Sequence, residues 1–330
     1  MATLKDIAQR AGVTATTVSR VINNRGYISE GTRKKVYAAM EEMHYQPNEL
    51  ARAFSKQYTN TIGLIVPHIS HPFFIKVISN LESSAAEKGF KLLLCNSKEQ
   101  PEKEQDYLDM CISNRVAGIV LCSKYVQTRE FRKMNIPVVN LERGGDDDTI
   151  SVQCDNYQGG KLAAEHLIEC GCKNLLHFGG VAGKDMPADR RADGFSDVCK
   201  KAGIPYRILV SDRLQYGSMH YEDFIRRALQ EFPDVDGIFA SSDLIASQVI
   251  QVGAQMGKRV PEDIQLIGFD DVMISTVTTP QITTIHQPVE EMTELCVEYI
   301  AKSLKNESVP QKIVLPVRLV QRGTTVLKTE

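Results

Sequence analysis

Apolar positions recur along this chain with two different periods, and the change falls near residue 60. Before it, Leu4, Ile7, Ala8 and Ala11 sit at i, i+3, i+4 and i+7, the spacing of one helix face. Thr3 precedes them as an N-cap with Asp6 at the third helical position, and Gly12 breaks the pattern. The spacing predicts a second helix from Ala15, capped by Thr14, with Val18, Val21 and Ile22 facing inward. Ser29 caps a third, whose apolar face carries Val36, Ala39, Met40 and Met43 and which Pro47 ends. The short turn Gly12-Val13-Thr14 between the first two makes the set a helix-turn-helix. Asn48 then caps the segment ELARAFSK, with Leu50, Ala51, Ala53 and Phe54 on one side and Arg52 and Lys56 as cations. Eight residues are marginal as an isolated helix, so this piece orders only when packed against something.

Beyond residue 60 the period changes to strand-length apolar runs separated by amphipathic stretches. The runs are TIGLIV (61–66), KLLLCN (91–96), AGIVLC (117–122), PVVNL (137–141), NLLHF (174–178), YRILV (206–210), GIFAS (237–241) and IQLIGF (264–269). Such alternation predicts an α/β fold, with mostly parallel strands and helices on both sheet faces. Strand and helix counts divide evenly around residues 155–160, which predicts two lobes.

Composition sharpens this picture in three places. Hydrophobic residues are 42% and charged residues 24% of 330, enough for a sizeable core and unlike a disordered or fibrous chain. The longest apolar runs are strand-length, and MATLKDIAQR lacks the apolar stretch of a secretory signal, so a cytoplasmic protein is expected. Charge is uneven: residues 1–60 hold nine Lys/Arg against five Asp/Glu, an excess of +4, whereas the other 270 hold 30 against 36, an excess of −6. A basic module on an acidic body points to a polyanion as partner. The cysteines at 95, 111, 122, 154, 170, 172, 199 and 296 form no C-x-x-C and no His pair lies at zinc-finger distance, so no metal is expected and the thiols read as small core hydrophobes.

The second helix presents Ala15, Thr16, Thr17, Ser19 and Arg20 outward. These are short or hydrogen-bonding groups with one long cation, the composition that lets a helix enter a major groove and read base edges. A merely solvated helix more often carries Glu and Lys there. Enzyme motifs fail: in FGGVAGKD, Phe178 occupies the first-glycine position of a P-loop and Asp185 the magnesium-binding Ser/Thr position, and no G-x-G-x-x-G, G-x-S-x-G or H-E-x-x-H is present. No enzyme activity and no cofactor are therefore expected.

TLKDIAQRAGVTATTVSRVIN and SEGTRKKVYAAMEEMHYQPNELARAF resemble, without a gap over residues 3–56, the headpiece of the lac repressor (LacI) family of bacterial transcription regulators. GLIVPHISHPFF, SVQCDNYQGGKLAAEHLIECG, RRADGF, SSD at 241–243, VPEDIQLIGFDD and TTPQITTIHQP resemble that family's regulatory core, which is similar to periplasmic sugar-binding proteins; among members, sucrose-operon and related sugar repressors look nearest. The resemblance implies a helix-turn-helix headpiece (1–47), a hinge helix and linker (48–60), and a two-lobed periplasmic-binding-protein-like core with parallel sheets. The lobes would comprise 61–157 plus 289–317 and 158–288 plus 318–330, with crossings near 155–160, 286–290 and 315–320. It implies that Thr16 and Arg20 read bases with Ala15 alongside, and that Thr3, Thr14, Ser19, Asn23 and Thr32 contact phosphates. Asn48, Ala51 and Phe54 would belong to a hinge that folds in the minor groove of a pseudo-palindromic operator. Phe54 stands where members usually wedge a leucine into the central base step, and an aromatic ring still unstacks one.

The same resemblance places a small effector between the lobes. Phe73, Phe74, Glu142, Arg191, Ser242 and Asp270 fall after strands, where open α/β sheets bind ligands. A carboxylate and a guanidinium facing aromatic rings suit a sugar, and Tyr216 is aligned as a further aromatic wall. Each residue has a plainer reading too: Phe73 or Phe74 as core, Asp270-Asp271 as a turn cap and Asp146-Asp147-Asp148 as a solvated loop, while His68 and His71 flank a loop and are read as surface histidines or, alternatively, as ligand contacts. No pattern placed VAGKDMPAD (181–189). The last residues, VQRGTTVLKTE, carry no heptad, so a homodimer is expected rather than the coiled-coil tetramer of some relatives. Two rival classes are a family member controlled by a phosphorylated partner protein and a solute-binding transport protein.

Overall fold

The computed structural model describes residues 2–23, 25–45, 58–123, 125, 136–143, 149–181 and 186–328. Its contacts define two compact units, Met1–Asn60 and Thr61–Glu330.

The first unit holds α1 (Leu4–Ala11), α2 (Ala15–Ile22) and α3 (Glu30–Glu42). Thr3 and Asp6 form a capping box: Thr3 Oγ1 accepts from the Asp6 amide at 3.4 Å, and the Asp6 carboxylate accepts from the Thr3 amide at 2.8 Å. Gly12 ends α1 at φ 69°, a left-handed conformation that a side chain would strain. Ile7, Ala8, Val18, Val21, Val36 and Ala39 form the core, as the helical period predicts. The third helix stops earlier than predicted. It ends at Glu42 rather than against Pro47, because His44 turns left-handed at φ 47° while the Tyr45 and His44 amides return to the carbonyls of Met40 and Glu41 at 2.8 and 3.1 Å. That is a Schellman closure, a local signal independent of the proline. Asn48, Ala51 and Phe54, with the expected hinge helix, lie outside the described residues.

In the second unit strands alternate with helices in chain order: β1 (Thr61–Val66), α4 (Pro72–Glu87), β2 (Lys91–Asn96), α5 (Pro101–Ser113), β3 (Gly118–Leu121), β4 (Val138–Leu141), β5 (Ile150–Cys154) and α6 (Asn156–Glu169). Then follow β6 (Leu175–Val181), α7 (Arg190–Ala202), β7 (Tyr206–Ser211), α8 (Arg213–Ser218), α9 (Glu222–Glu231), β8 (Gly237–Ala240), α10 (Asp243–Gln255), β9 (Gln265–Asp270), α11 (Ile274–Val277), β10 (Thr283–His286), α12 (Val289–Ser303), β11 (Lys312–Leu315) and β12 (Arg318–Val320). Two six-stranded sheets result, ordered β11-β5-β4-β3-β1-β2 and β12-β10-β9-β8-β6-β7. Every neighbouring pair is parallel except β10 with β12. The fold is thus α/β with parallel sheets in two lobes.

The eight apolar runs all became strands. The four strands without such a run are β5, β10, β11 and β12. They are three to five residues long and interleave Ser151, Gln153, Thr283, Thr284, Lys312 and Arg318 with apolar residues, which breaks the signal. Thr283 and Thr284 are nevertheless fully buried, their hydroxyls bonded to Thr325 Oγ1 at 2.9 Å and Asp243 Oδ1 at 2.6 Å. The chain passes from the first sheet to the second after β5, returns after β10, and crosses again between β11 and β12. All eight cysteines are free and buried.

Candidate ligand cleft and nucleic-acid interface

Because the strands run parallel, their carboxyl ends and the following helix starts share one edge of each sheet. In the second unit those edges border a cavity of about 150 Å³. Its lining includes all six residues read from sequence: Phe73 and Phe74 on α4, Glu142 after β4, Arg191 on α7, Ser242 before α10 and Asp270 at the end of β9. Tyr216 lines it as well. The Phe73 and Phe74 rings meet edge to face at 5.2 Å and are nearly buried, so they are core and cavity wall at once.

Arg191 is held on three sides. Its Nε donates to Asn156 Oδ1 at 2.7 Å, its Nη1 donates to the Ser241 carbonyl at 2.6 Å, and its guanidinium carbon lies 3.5 Å from the Phe269 ring centroid. The backbone beneath it is fixed by glycines where α6 crosses α7. A Cβ on Gly160 would sit 1.9 Å from the Arg191 carbonyl oxygen, and one on Gly194 2.0 Å from that of Tyr157. Neither neighbour is a side-chain end that can swing away. Gly160→Ala is therefore expected to push the helices apart at a cost of ~1–3 kcal/mol or more. Urea denaturation of the variant should show a lowered midpoint, and small-molecule binding in the cleft should weaken with it.

Glu142 accepts from the Cys154 amide at 2.5 Å and from Asn156 Nδ2 at 3.0 Å. Asn156 therefore donates to the carboxylate and accepts from the guanidinium, linking the two lobes' charged residues. Sequence reading passed it over because it begins α6, where a polar residue already has a structural reason to be. Asp270, at φ 105°, accepts from Gln287 Nε2 at 2.6 Å. Burial pushes its carboxyl up to about 7, against the pull of Arg191 and the Gln287 hydrogen bond. Asp243, directly behind, accepts from Thr284 Oγ1 and the Val272 amide, and burial followed by the nearby Asp270 raises its carboxyl too.

Asp271 points the other way. Burial raises its carboxyl, but the hydrogen bonds from Arg322 and His286 outweigh that and leave it below the ordinary range. The Asp270-Asp271 pair thus divides its labour, and neither is a mere turn cap. His68 and His71 correct the sequence reading: both are buried rather than superficial, and His71 lines the cavity. Burial pushes the His71 ring down to about 4, so it is neutral near pH 7. Its Nδ1 accepts from the Phe73 amide at 3.3 Å, capping α4 before Pro72. Glu99, Tyr221 and Gln287 also line the cavity and were missed. Of the stretch 181–189, Met186 and Ala188 line the cavity, while 182–185 lie outside the described residues.

On the first unit, Ala15, Thr16 and Arg20 are exposed on α2, with Thr16 and Arg20 four residues apart on one helix face. Thr17 and Ser19 are half-buried. The residues expected at phosphates gather at helix ends. Thr3 caps α1; Thr14 caps α2, its Oγ1 accepting from the Thr17 amide at 3.1 Å; Thr32 lies in the first turn of α3; Asn23 closes α2 through Nδ2 to the Ser19 carbonyl at 2.9 Å. Helix starts concentrate backbone donors and positive dipole ends, which suits phosphate.

Two family models match this chain. One describes bacterial regulatory proteins of the lacI family and spans residues 3–48; the other describes a periplasmic binding protein-like domain and spans residues 164–325. The ribose operon repressor of Halalkalibacterium halodurans is 33% identical over 326 residues, covering 98% of this chain and 97% of the relative. The sucrose operon repressor of Pediococcus pentosaceus is 34% identical over 329 residues, covering 97% and 98%. Among solved structures, a periplasmic binding protein/LacI transcriptional regulator from Alkaliphilus metalliredigens complexed with D-xylulofuranose is 32% identical with a TM-score of 0.73, over 81% of this chain and 100% of that one.

Proposed function

Since the chain belongs to the lacI family of bacterial regulatory proteins, we propose that it is a sequence-specific transcriptional repressor whose hold on operator DNA is set by a small sugar or sugar phosphate in the cleft. Two chains pair, and their headpieces read successive major grooves of a pseudo-palindrome. Thr16 and Arg20 reach base edges with Ala15 beside them; Thr3, Thr14, Ser19, Asn23 and Thr32 hold phosphates. Asn48, Ala51 and Phe54 complete the contact in the minor groove.

The observation that carries the effector reading is that the six residues named from sequence all line one cavity. The cavity of about 150 Å³ combines polar and aromatic groups, the lining that suits a sugar. Arg191 and Asp270 offer a cation and a carboxylate to vicinal hydroxyls, while Phe73 and Phe74 offer apolar faces to ring C–H groups. We read the site as one that binds: Glu142 and Asp270 are held by Asn156, the Cys154 amide and Gln287. Among the described residues no helix is long and apolar enough to cross a membrane, and the protein acts where its operator is, in the cytoplasm.

Coupling follows from linkage. An effector preferring one lobe arrangement about a hundredfold changes operator affinity by about 2.7 kcal/mol, and operator changes effector affinity by the same factor. The test is selection of bound duplexes from a random pool by the purified chain, with and without residues 1–60. An enriched palindrome that disappears with the truncation is expected. Enrichment of nothing by the whole chain refutes the repressor reading. The salt dependence of the selected complex should have a log–log slope near −0.9 per phosphate neutralised.

A further inference from the structure

We propose that Asp243 is a positioning residue of the cleft: its carboxylate grips the bend after β9 that aims Asp270 into the cavity and turns Asp271 away from it. This deepens the effector reading above and rests on it.

The bend has to be held. Asp270 and Asp271 follow one another at φ 105° and 53°. Both angles lie where a side chain is strained, and neither residue is glycine, so the surroundings must keep the chain there. At Asp271 the holds are plain: its carboxylate accepts from Arg322 Nη2 at 2.6 Å and from His286 Nδ1 at 2.8 Å, and its carbonyl accepts from Lys76 Nζ at 3.3 Å. At Asp270 the hold is Asp243. Its Oδ2 accepts from the Val272 amide at 2.9 Å, just past the bend, and its Oδ1 accepts from Thr284 Oγ1 at 2.6 Å on β10. Just before the bend, a Cβ on Gly268 would press into the same Oδ1. The carboxylate therefore meets the chain on both sides of the bend, and Gly268 leaves room for it.

Asp243 does more than an acid at a helix start ordinarily does. Ser242 already caps α10 by accepting from the Ile245 amide at 3.2 Å, while the Asp243 carboxylate reaches across to other elements. Asp243 is fully buried and is not part of the cavity lining, whereas Ser242 and Asp270 are. It acts on the site through Asp270. Burial of a carboxylate is costly, so a residue that only filled space there would be apolar. Without the grip the Val272 amide loses its acceptor and the bend relaxes. Asp270 then leaves the buried place where it faces Arg191, Glu142, Lys76 and Asp243.

A double-mutant cycle on the full chain, with no ligand present, tests this. Asp270→Asn removes a charge held out of water, so in wild type it should raise the urea midpoint above neutral pH. In an Asp243→Ala background Asp270 has moved toward water, and the same substitution should give less than about half that rise. In an Asp243→Asn background the full rise should return. An asparagine side chain accepts from the Val272 amide and donates to Thr284 Oγ1, which takes either role. If Asp243 only packs, the rise stays intact in both backgrounds; if only its charge matters, both backgrounds change alike. Either result overturns the inference. So does the absence of a rise in wild type, because Asp270 is then not held where the bend puts it. Should Asp243→Ala not fold, Gly268→Ala displaces the same carboxylate, whose end can swing, and the cycle carries the same expectation there. Where D-ribose or D-xylulose binds wild type by calorimetry, Asp243→Ala should weaken it at least about tenfold and Asp243→Asn by less; equal affinity in all three overturns the inference. Silence from both sugars counts against the effector reading alone, and the ligand-free cycle still decides the role of Asp243.

Discussion

Asp270→Asn should cost the cleft its ligand and make the unliganded protein more stable. The carboxyl has a folded-state pKa near 7, above the ordinary carboxylate value. Between the two values the folded chain holds a proton that the unfolded chain has released, so stability falls as pH rises from about 4 to about 7 and then levels off. At 1.36 kcal/mol per unit the penalty has a ceiling of about 4 kcal/mol. Asparagine removes the charge and keeps an oxygen for Gln287 Nε2. It also tolerates the positive φ of 105° better than most side chains. Denaturant titration should therefore find the variant more stable than wild type above neutrality and equal to it near pH 4. Ligand binding goes the other way: losing a charged acceptor for sugar hydroxyls costs about 1.5–3 kcal/mol per hydrogen bond, hence about a hundredfold or more across a pair. Wild-type affinity should also drop on acidification below about pH 7, and the variant's should not. A variant that binds normally, or one that is destabilised above neutrality, would refute the assignment of Asp270.

This opposition between stability and binding explains which parts of the cleft were legible in the sequence. Arg191, Glu142 and Asp270 were legible because the family resemblance and their places after an apolar strand or at a helix start point the same way, even though a turn cap was an alternative for Asp270. Asn156 and Gln287 have an ordinary structural reason to be polar, as residues at a helix start and in a crossover, so nothing in their local pattern marks them. Only the fold shows that Asn156 spans Glu142 and Arg191, and that Gln287 holds Asp270. His71, read as a surface histidine in a loop, is instead buried, and its ring caps a helix.

The fold divides similarly. Helix boundaries with chemical signals fell where those signals stand, as Thr3, Thr14 and Ser29 show, each cap directly preceding its helix. The end of α3 did not, because its Schellman closure depends on His44 accepting a left-handed conformation, which residue type announces only for glycine and asparagine. Strands with unbroken apolar runs were evident. Strand β10 was not, because its buried threonines are stabilised by partners far along the chain, Asp243 and Thr325. Gly160 and Gly194 carry a related lesson. Each looks like an unfavourable helix residue until α6 and α7 are seen with their backbones in contact.

Arg20→Ala should remove the chain's preference for its operator while leaving the cleft untouched. Arg20 is exposed in the last turn of α2, on the face that also carries Thr16, and no residue of the small core depends on it. The substitution removes a long donor from an exposed helix position, and alanine favours the helix, so the headpiece should fold as before. A guanidinium that reads a guanine in bidentate fashion contributes about 1–3 kcal/mol of discrimination per base contacted. Two symmetry-related headpieces double that, so specific affinity should fall by up to about four orders of magnitude. Non-specific duplex affinity should fall far less, by the loss of one cation per chain. Fluorescence anisotropy with the selected palindrome and a scrambled duplex separates the two effects, and calorimetry with a cleft ligand supplies the control. Equal losses on both duplexes would mean that Arg20 contacts phosphate only. Base reading would then fall to Thr16 and Ala15, and the donor-bearing face of α2 would no longer explain sequence preference.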